Sequence, residues 1–239
     1  MQKDKRGRRF YLISAIPCVN IDKKEDKVFL FKRKLSDICE RAMRAGRRID
    51  LKGCNYGETD GCCRFVARPT NYYYFLAGLV KSEGLTTILE SGTHCGGSIM
   101  SMSRGIRSRH IAKSKIVTID VTYKNDEGFR GYPHIMRLQG DAASDSVVEK
   151  VVGVFKRPLD LFYVDSAHEY GHTKKTIDLY SRRLRPKYIA LDDIRLSGEM
   201  KRFWRELVDK FCDNAFDASE IVGRKKAGFG IIRWSEQTK

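Results

Sequence analysis

Acidic residues stand at the ends of several apolar, strand-like segments of the chain. The residues in question are Glu90, Asp120, Asp141, Asp165, Asp192 and Asp193. Near-continuous β-branched runs of this kind are typical of strands buried on both faces of a parallel sheet. Ligands of such sheets bind outside the carboxyl ends of the strands. The sequence therefore predicts that these carboxylates line one ligand-binding edge.

A glycine-containing turn follows the first of these segments. Residues 90–98 read Glu-Ser-Gly-Thr-His-Cys-Gly-Gly-Ser, directly before a helix-like stretch. Glycine lets the backbone approach a ligand closely, and the start of a helix offers unpaired N–H groups to a carboxylate or phosphate. Glycine is also common in any tight strand-to-helix turn, so this motif alone leaves that alternative open.

Asp120 ends the next strand-like segment, and the spacing from Gly92 suits a nucleoside site. A carboxylate in this place can accept hydrogen bonds from both hydroxyls of a ribose. The alternative is an ordinary helix cap or a solvated strand end. The combination of turn and carboxylate favours a ligand that contains a nucleoside.

Together these motifs resemble those of class I S-adenosylmethionine-dependent methyltransferases, over about residues 70–234. The turn reads E-x-G-x-x-x-G-G-S and is followed by Val-Thr-Ile-Asp, Gln-Gly-Asp-Ala-Ala and Leu-Phe-Tyr-Val-Asp-Ser-Ala-His. The chain departs from the commonest glycine pattern at His94. The resemblance implies a set of residues that bind S-adenosylmethionine, with Asp120 on the ribose and Asp141 on the adenine edge. The set is Glu90, Gly92, Thr93, Gly96, Ser98, Asp120, Asp141, Ala142, Asp165 and Ser166.

Within that superfamily the chain most resembles the cation-dependent O-methyltransferases and the cephalosporin hydroxylase-like proteins. This resemblance implies a divalent metal site at Asp165, Asp192 and Asp193. Three converging carboxylates would repel one another without a cation, and all-oxygen ligands suit Mg²⁺, Mn²⁺ or Ca²⁺, of which we expect Mg²⁺. Such an ion could lower the pKa of an acceptor hydroxyl. The alternative is that the aspartates cap helices or pair with Arg185 and Arg195.

His168 lies three residues after Asp165, where the chain turns towards the next helix. A neutral imidazole beside the metal could take the proton of the acceptor hydroxyl, because the ordinary pKa of histidine suits general-base work. We therefore predict that His168 and Asp165 are the catalytic residues. A metal ligand or a residue that starts the helix are the alternatives for His168. His172, on the helix itself, is expected to be solvated.

The elements that must position these residues alternate in type along the chain. Strands are predicted at residues 86–91, 115–121, 135–139, 159–165, 188–192, 219–222 and 228–234, and helices at 72–81, 98–106, 146–155, 171–184 and 198–211. This alternation predicts an α/β fold with a parallel, doubly wound sheet. With the resemblance, it becomes a Rossmann-like, seven-stranded sheet of the methyltransferase type.

The N-terminal part of the chain is different in character. Residues 1–52 carry +9 of the formal net charge of +16. We predict strands at 10–16 and 28–31, a helix near 35–45 and then a loop to Pro69. The predicted division is a basic N-terminal extension, residues 1–68, which lies over the ligand cleft, and a methyltransferase domain, residues 69–239. Positive charge favours polyanionic partners such as RNA or DNA, although charge runs are more often solvated helix faces.

Cysteine usage and hydropathy limit the environment of the chain. The seven cysteines are odd in number and contain no C-x-x-C pair, which favours reduced thiols and a cytoplasmic protein. No apolar run approaches the ~20 residues of a membrane span, so no membrane partner is expected.

The predicted function is methyl transfer from S-adenosylmethionine, by metal-assisted O-methylation of a hydroxylated small molecule or sugar. Two alternatives remain, namely a nucleic-acid methyltransferase that uses the basic arm and a non-catalytic nucleoside-binding protein with the same fold. The sequence leaves the oligomeric state open, including a homo-oligomer.

Overall fold

The structure of the protein is a computed structural model that describes residues 25–59, 61–156 and 158–234, with side chains from residue 35 onwards. The helices are α1 Glu25–Gly46, α2 Asn71–Glu83, α3 Gly97–Gly105, α4 Asp126–Phe129, α5 Asp145–Val154, α6 Tyr170–Leu184, α7 Gly198–Phe211 and α8 Ser219–Val222. The strands are β1 Tyr56–Thr59, β2 Cys62–Phe65, β3 Thr87–Ser91, β4 Lys115–Asp120, β5 Ile135–Gln139, β6 Leu161–Val164, β7 Tyr188–Asp192, β8 Ala215–Asp217 and β9 Phe229–Arg233. Two short 3-10 helices span Ser108–Lys113 and Cys212–Asn214.

Seven of these strands form a central sheet in the order β5-β4-β3-β6-β7-β9-β8. Strands β3 to β7 pair in parallel, whereas β9 runs antiparallel to β7 and β8. The strand order reverses direction at β3, between β4 and β6, which is the point where doubly wound sheets bind ligands. The predicted Rossmann-like, seven-stranded architecture is confirmed.

The sheet separates two apolar cores because its buried strands alternate side chains between the faces. On β3, Ile88 belongs to the core that contains α1, α2 and α3. Its neighbour Leu89 belongs to the opposite core, which α5, α6 and α7 cover. With both faces covered, the polar groups at the carboxyl edge of the sheet are the ones left available to a ligand.

Two sequence predictions of strands were wrong. Residues 28–31 lie inside helix α1, and the same helix continues with buried residues at helical spacing, which are Leu35, Ile38, Cys39, Ala42 and Met43. Residues 219–222 form helix α8, because Asp217 accepts the backbone N–H of Ser219 and Gly223 ends the turn at φ 70°. The strand of that region is β8, just before it. The predicted strand at residues 10–16 lies outside the described residues.

Helix α1 is packed into the body of the protein and is not a detached arm. A Cβ at Gly78 of α2 would collide with the carbonyl oxygen of Ala42 on α1, so the two helix backbones touch. Leu35 and Ile38 are buried in the same core as Phe75 of α2. The predicted extension therefore contributes apolar side chains to the same core as α2 and the central sheet.

The predicted loop before Pro69 contains a two-stranded hairpin, β1 and β2, which pairs Tyr56 with Phe65 at its open end. The expectation of reduced thiols fails here, because Cys63 of β2 forms a disulfide with Cys95. Packing of the hairpin against the glycine turn brings the two thiols together, and sequence spacing does not reveal this. Free cysteines among the described residues are Cys39, Cys54, Cys62 and Cys212. Among the described helices, none is long and apolar enough to cross a membrane.

Candidate active site

The turn after β3 brings the backbone of the chain against the end of β6. Gly92 has a φ of 97°, and a Cβ there would collide with the carbonyl oxygen of Asp165. Gly96 has a φ of 83° directly before helix α3 begins at Gly97. His94, where a glycine is commoner, also adopts a positive φ of 46°. The turn thus keeps the glycine-type conformation with a histidine in it, and this geometry suits a closely approached ligand.

Glu90 lies beneath this turn and is completely buried. Its carboxyl group accepts hydrogen bonds from the hydroxyl of Ser98 and from Thr118 Oγ1, the latter at 2.5 Å. Burial raises the pKa of Glu90 to about 8, although the two hydroxyl donors oppose the shift. Thr118 Oγ1 also lies 2.5 Å from the hydroxyl of Thr93. Glu90, Thr93 and Ser98 are therefore brought together as one network, with the carboxyl group tying the turn to α3 and β4.

Asp120 lies at the carboxyl end of β4, beside the same turn. Its Oδ2 accepts the backbone N–H of His94 at 2.7 Å, and its Oδ1 accepts that of Thr122 at 3.2 Å. Each carboxylate oxygen has a further lone pair, so both can still accept a hydrogen bond from a ligand hydroxyl. Both oxygens are therefore available to a ligand at the carboxyl edge of the sheet.

Asp141 follows β5 and faces a histidine that the sequence predicted to be solvated. Asp141 Oδ1 accepts the backbone N–H of Ala143 at 2.8 Å and lies 2.8 Å from Nε2 of His172. These two contacts lower the pKa of Asp141. His172 is thus packed against Asp141 instead of projecting into water, since helix α6 begins beside this loop. Ala142 is buried below it.

Asp165 and Asp192 approach each other across strands β6 and β7. The hydroxyl of Tyr163 donates to Asp165 Oδ2 at 2.9 Å and lies 3.5 Å from Asp192 Oδ2. Burial, followed by the negative charge of Asp192, raises the pKa of Asp165 well above its ordinary range. Burial also raises the pKa of Asp192, while Arg224 limits the rise. The predicted pair of carboxylates is therefore present at the sheet edge, largely shielded from water.

Arg224 takes up the position beside the third aspartate. Its Nη2 lies 2.8 Å from Asp192 Oδ2 and also binds Asp193 Oδ1. Arg195, which the sequence offered as a partner of the aspartates, binds Asp217 instead. No signal in the sequence marked Arg224, because it lies in the basic loop Gly-Arg-Lys-Lys-Ala-Gly between α8 and β9.

The arrangement does not fit the predicted metal site. The donor set has the right chemistry, but the guanidinium of Arg224 already fills the space between Asp192 and Asp193. Across residues 25–59, 61–156 and 158–234, no group of three or more His, Cys, Asp or Glu side chains is arranged to hold a metal ion. The carboxylates at this edge are organised around an arginine.

His168 lies over the same cluster in a strained backbone conformation, with a φ of 49°. Its Nε2 is 3.6 Å from Asp165 Oδ1 and 3.5 Å from Asp193 Oδ2. Burial lowers the pKa of His168, against the opposing effect of Asp193. Nearby, the buried hydroxyl of Ser166 has no hydrogen-bond partner among the described residues. The site therefore offers a neutral imidazole and a free hydroxyl donor beside the glycine turn.

The comparisons with known proteins agree with this geometry. Residues 89–194 match the family model of a methyltransferase domain. The O-methyltransferase TomG of Streptomyces achromogenes, solved with SAM, is similar over 91% of this chain and 92% of its own, at 16% identity and a TM-score of 0.55. No curated protein sequence matches the chain.

Two further solved structures share the fold. A methyltransferase of Podospora anserina, bound to SAH, is similar over 94% of this chain and all of its own, with 16% identity and a TM-score of 0.54. An O-methyltransferase of Bacillus cereus, in complex with SAH, gives 19% identity and a TM-score of 0.50 over 91% of this chain and 93% of its own.

The solved methyltransferases share the Rossmann-like fold of this chain, with its seven-stranded sheet. Residues 89–194 of the chain therefore form a methyltransferase domain within this fold.

Proposed function

We propose that the protein transfers a methyl group from S-adenosylmethionine to a hydroxyl oxygen of a small molecule or a sugar. The observation that carries this proposal is the position of His168, whose Nε2 lies within 3.6 Å of two carboxylates at the edge beside the glycine turn. The names of the solved O-methyltransferases with the same fold support the oxygen acceptor.

The residues around the turn fit the cofactor. We propose that Asp120 accepts the ribose hydroxyls and that Asp141 and Ala142 lie at the adenine edge. Gly92 and Gly96 allow close approach of the backbone, and the unpartnered hydroxyl of Ser166 is available as a donor. When bound, S-adenosylmethionine supplies an electrophilic methyl group on its sulfonium centre. Glu90 and Ser98 act from beneath, by fixing the conformation of the turn.

His168 is the proposed general base. Because burial lowers its pKa, the imidazole is neutral at physiological pH and Nε2 can accept the acceptor's hydroxyl proton. Asp193, whose Oδ2 is 3.5 Å from Nε2, stabilises the imidazolium that forms, and Asp165 Oδ1 lies 3.6 Å from the same nitrogen. Holding the acceptor oxygen in line with the methyl group then supplies part of the rate enhancement. No step is assigned to a divalent cation, since Arg224 lies between two of its expected ligands.

The test combines binding and turnover. Calorimetry should show stoichiometric binding of S-adenosylmethionine to the wild-type chain. Incubation with labelled cofactor and a panel of catechols, other phenols and sugars should label at least one hydroxyl acceptor, and His168→Ala should abolish most of that label without loss of cofactor binding. Transfer to nitrogen or carbon acceptors alone, or label that is insensitive to His168→Ala, would overturn the proposal.

A further inference from the structure

Backbone hydrogen bonds fix the position of Arg224 beside Asp192 and Asp193. Its N–H donates to the carbonyl of Ser219 at 2.9 Å, and its own carbonyl accepts the N–H of Gly228 at 2.7 Å. The N–H of Asp193 donates to the carbonyl of Gly228 at 3.1 Å. The loop that carries the arginine is therefore hydrogen-bonded directly to the segment that carries the aspartate.

The guanidinium is also packed against an aromatic ring. Its central carbon lies 4.9 Å from the centroid of the Tyr72 ring, a distance at which a cation is attracted to an aromatic face. Asp192 is 2% exposed and Asp193 13%, so this ion pair is largely removed from water. Arginine suits such a place, because its planar guanidinium matches carboxylate geometry and stays charged.

We infer that Arg224 replaces the divalent cation of this site, so that the acceptor is held and ionised beside a built-in guanidinium and without a bound metal. This inference rests on the proposed function, because it concerns the charge that assists the same reaction. In this inference Arg224 acts in two ways, as a positive charge near the acceptor oxygen and as a contact that positions Asp193. It fixes Asp193, whose other carboxylate oxygen is 3.5 Å from Nε2 of His168.

Two physical arguments support an arginine in place of a metal ion. A fixed positive charge next to the reacting oxygen stabilises negative charge that develops there, and a preorganised guanidinium can do this without an exchangeable ion. The positive charge of Arg224 also repels a divalent cation. Arg224 contacts Asp192 and Asp193, which are two of the three carboxylates that would bind such an ion.

The experiment measures binding of Mn²⁺ to the protein without cofactor or acceptor, by the loss of the free-ion paramagnetic resonance signal. Wild type should leave the signal of millimolar Mn²⁺ unchanged. Arg224→Ala frees Asp192 and Asp193 and should bind one Mn²⁺ at least about a hundredfold more tightly, because a unit charge a few ångströms from the ion has been removed. Arg224→Lys, which keeps the charge, should bind no better than wild type.

A matched control is Arg195→Ala, which removes a nearby arginine that pairs with Asp217 and should not create a Mn²⁺ site. The double variant Arg224→Ala with Asp193→Asn should lose the gained binding. Tight, stoichiometric Mn²⁺ binding by wild type that Asp193→Asn abolishes would overturn the inference. The titration of the wild type decides the matter even where Arg224→Ala does not fold. A folded Arg224→Ala variant that binds no Mn²⁺ would also overturn the inference.

Turnover gives a second readout. Excess chelator should leave the wild-type rate unchanged, whereas Arg224→Lys should retain more activity than Arg224→Ala. The outcome is separable from that of the proposed function, because cofactor binding and methyl transfer are measured on their own. A protein that methylates no hydroxyl removes the proposed function, while the Mn²⁺ titration still decides whether an arginine or a metal belongs among the carboxylates.

Discussion

At the scale of single residues, Asp120 is the side chain whose loss should weaken cofactor binding most directly. Asp120→Ala removes the proposed acceptor for two ribose hydroxyls, and hydrogen bonds to a charged group contribute roughly 1.5–3 kcal/mol each, so we expect a loss of about 2 kcal/mol or more, measured by calorimetry. Asp145→Ala, which removes an exposed carboxylate from the first turn of α5, serves as the control. An unchanged affinity in a folded Asp120→Ala variant would remove this residue from the site.

His168 makes a prediction about pH. Protonated imidazole cannot accept a proton, so the rate should fall as the pH drops through the pKa of His168, and burial places that point below the ordinary value of 6.5. His168→Ala should lower the rate by about 10²–10⁴, and the deficit should shrink as the pH rises and the acceptor ionises unaided. His110→Ala, in the 3-10 helix at Ser108–Lys113, should leave the profile unchanged. An acid limb that persists in His168→Ala would assign it to another group.

At the scale of elements, Glu90 links the turn to α3 and β4 through a buried carboxyl group. The folded protein holds its proton up to about pH 8, whereas the unfolded chain releases it near 4.5. The free energy of unfolding should therefore fall as the pH rises from about 5 to 9, by on the order of a few kcal/mol. Glu90→Gln keeps a neutral group there and should flatten the dependence. Denaturant unfolding at several pH values checks this, and equal slopes for both proteins would contradict it.

Strands of the central sheet could be predicted from the sequence because runs of β-branched residues are typical of strands that are buried on both faces. The segment that ends at Asp120 is a strand for that reason, and the parallel pairing of the strands follows from the helices between them. The hairpin at residues 56–65 was not predictable, since its short, half-exposed strands depend on contacts with the glycine turn. The contact of Arg224 with the aspartates could not be predicted for a similar reason. Only the antiparallel return of β9 beside β7 brings its loop to the aspartates.

At the scale of the whole molecule, the basic N-terminal segment remains a proposed contact for polyanions. Deletion of residues 1–52 is a poor test, because it removes the core side chains of α1 such as Leu35 and Ile38. Replacement of Lys5, Arg6, Arg8 and Arg9 by alanine avoids this. We expect weak binding to RNA or DNA that declines steeply with salt and falls further in the variant. Salt-insensitive binding, or no effect of the substitutions, would retire the nucleic-acid alternative.

The bond between Cys63 and Cys95 closes a covalent ring in the chain. The ring contains α2 and β3, and the two cysteines are 32 residues apart. On the chain-entropy model, a crosslink of this span stabilises the folded state by about 3–4 kcal/mol, because the unfolded chain loses that loop's freedom. Cys63→Ser should lower the free energy of unfolding by that amount under oxidising conditions and leave it unchanged in reductant. Formation of the disulfide fixes the β1–β2 hairpin to the turn after β3, and its reduction releases them. The rigidity of this turn would then depend on the redox state of the surroundings.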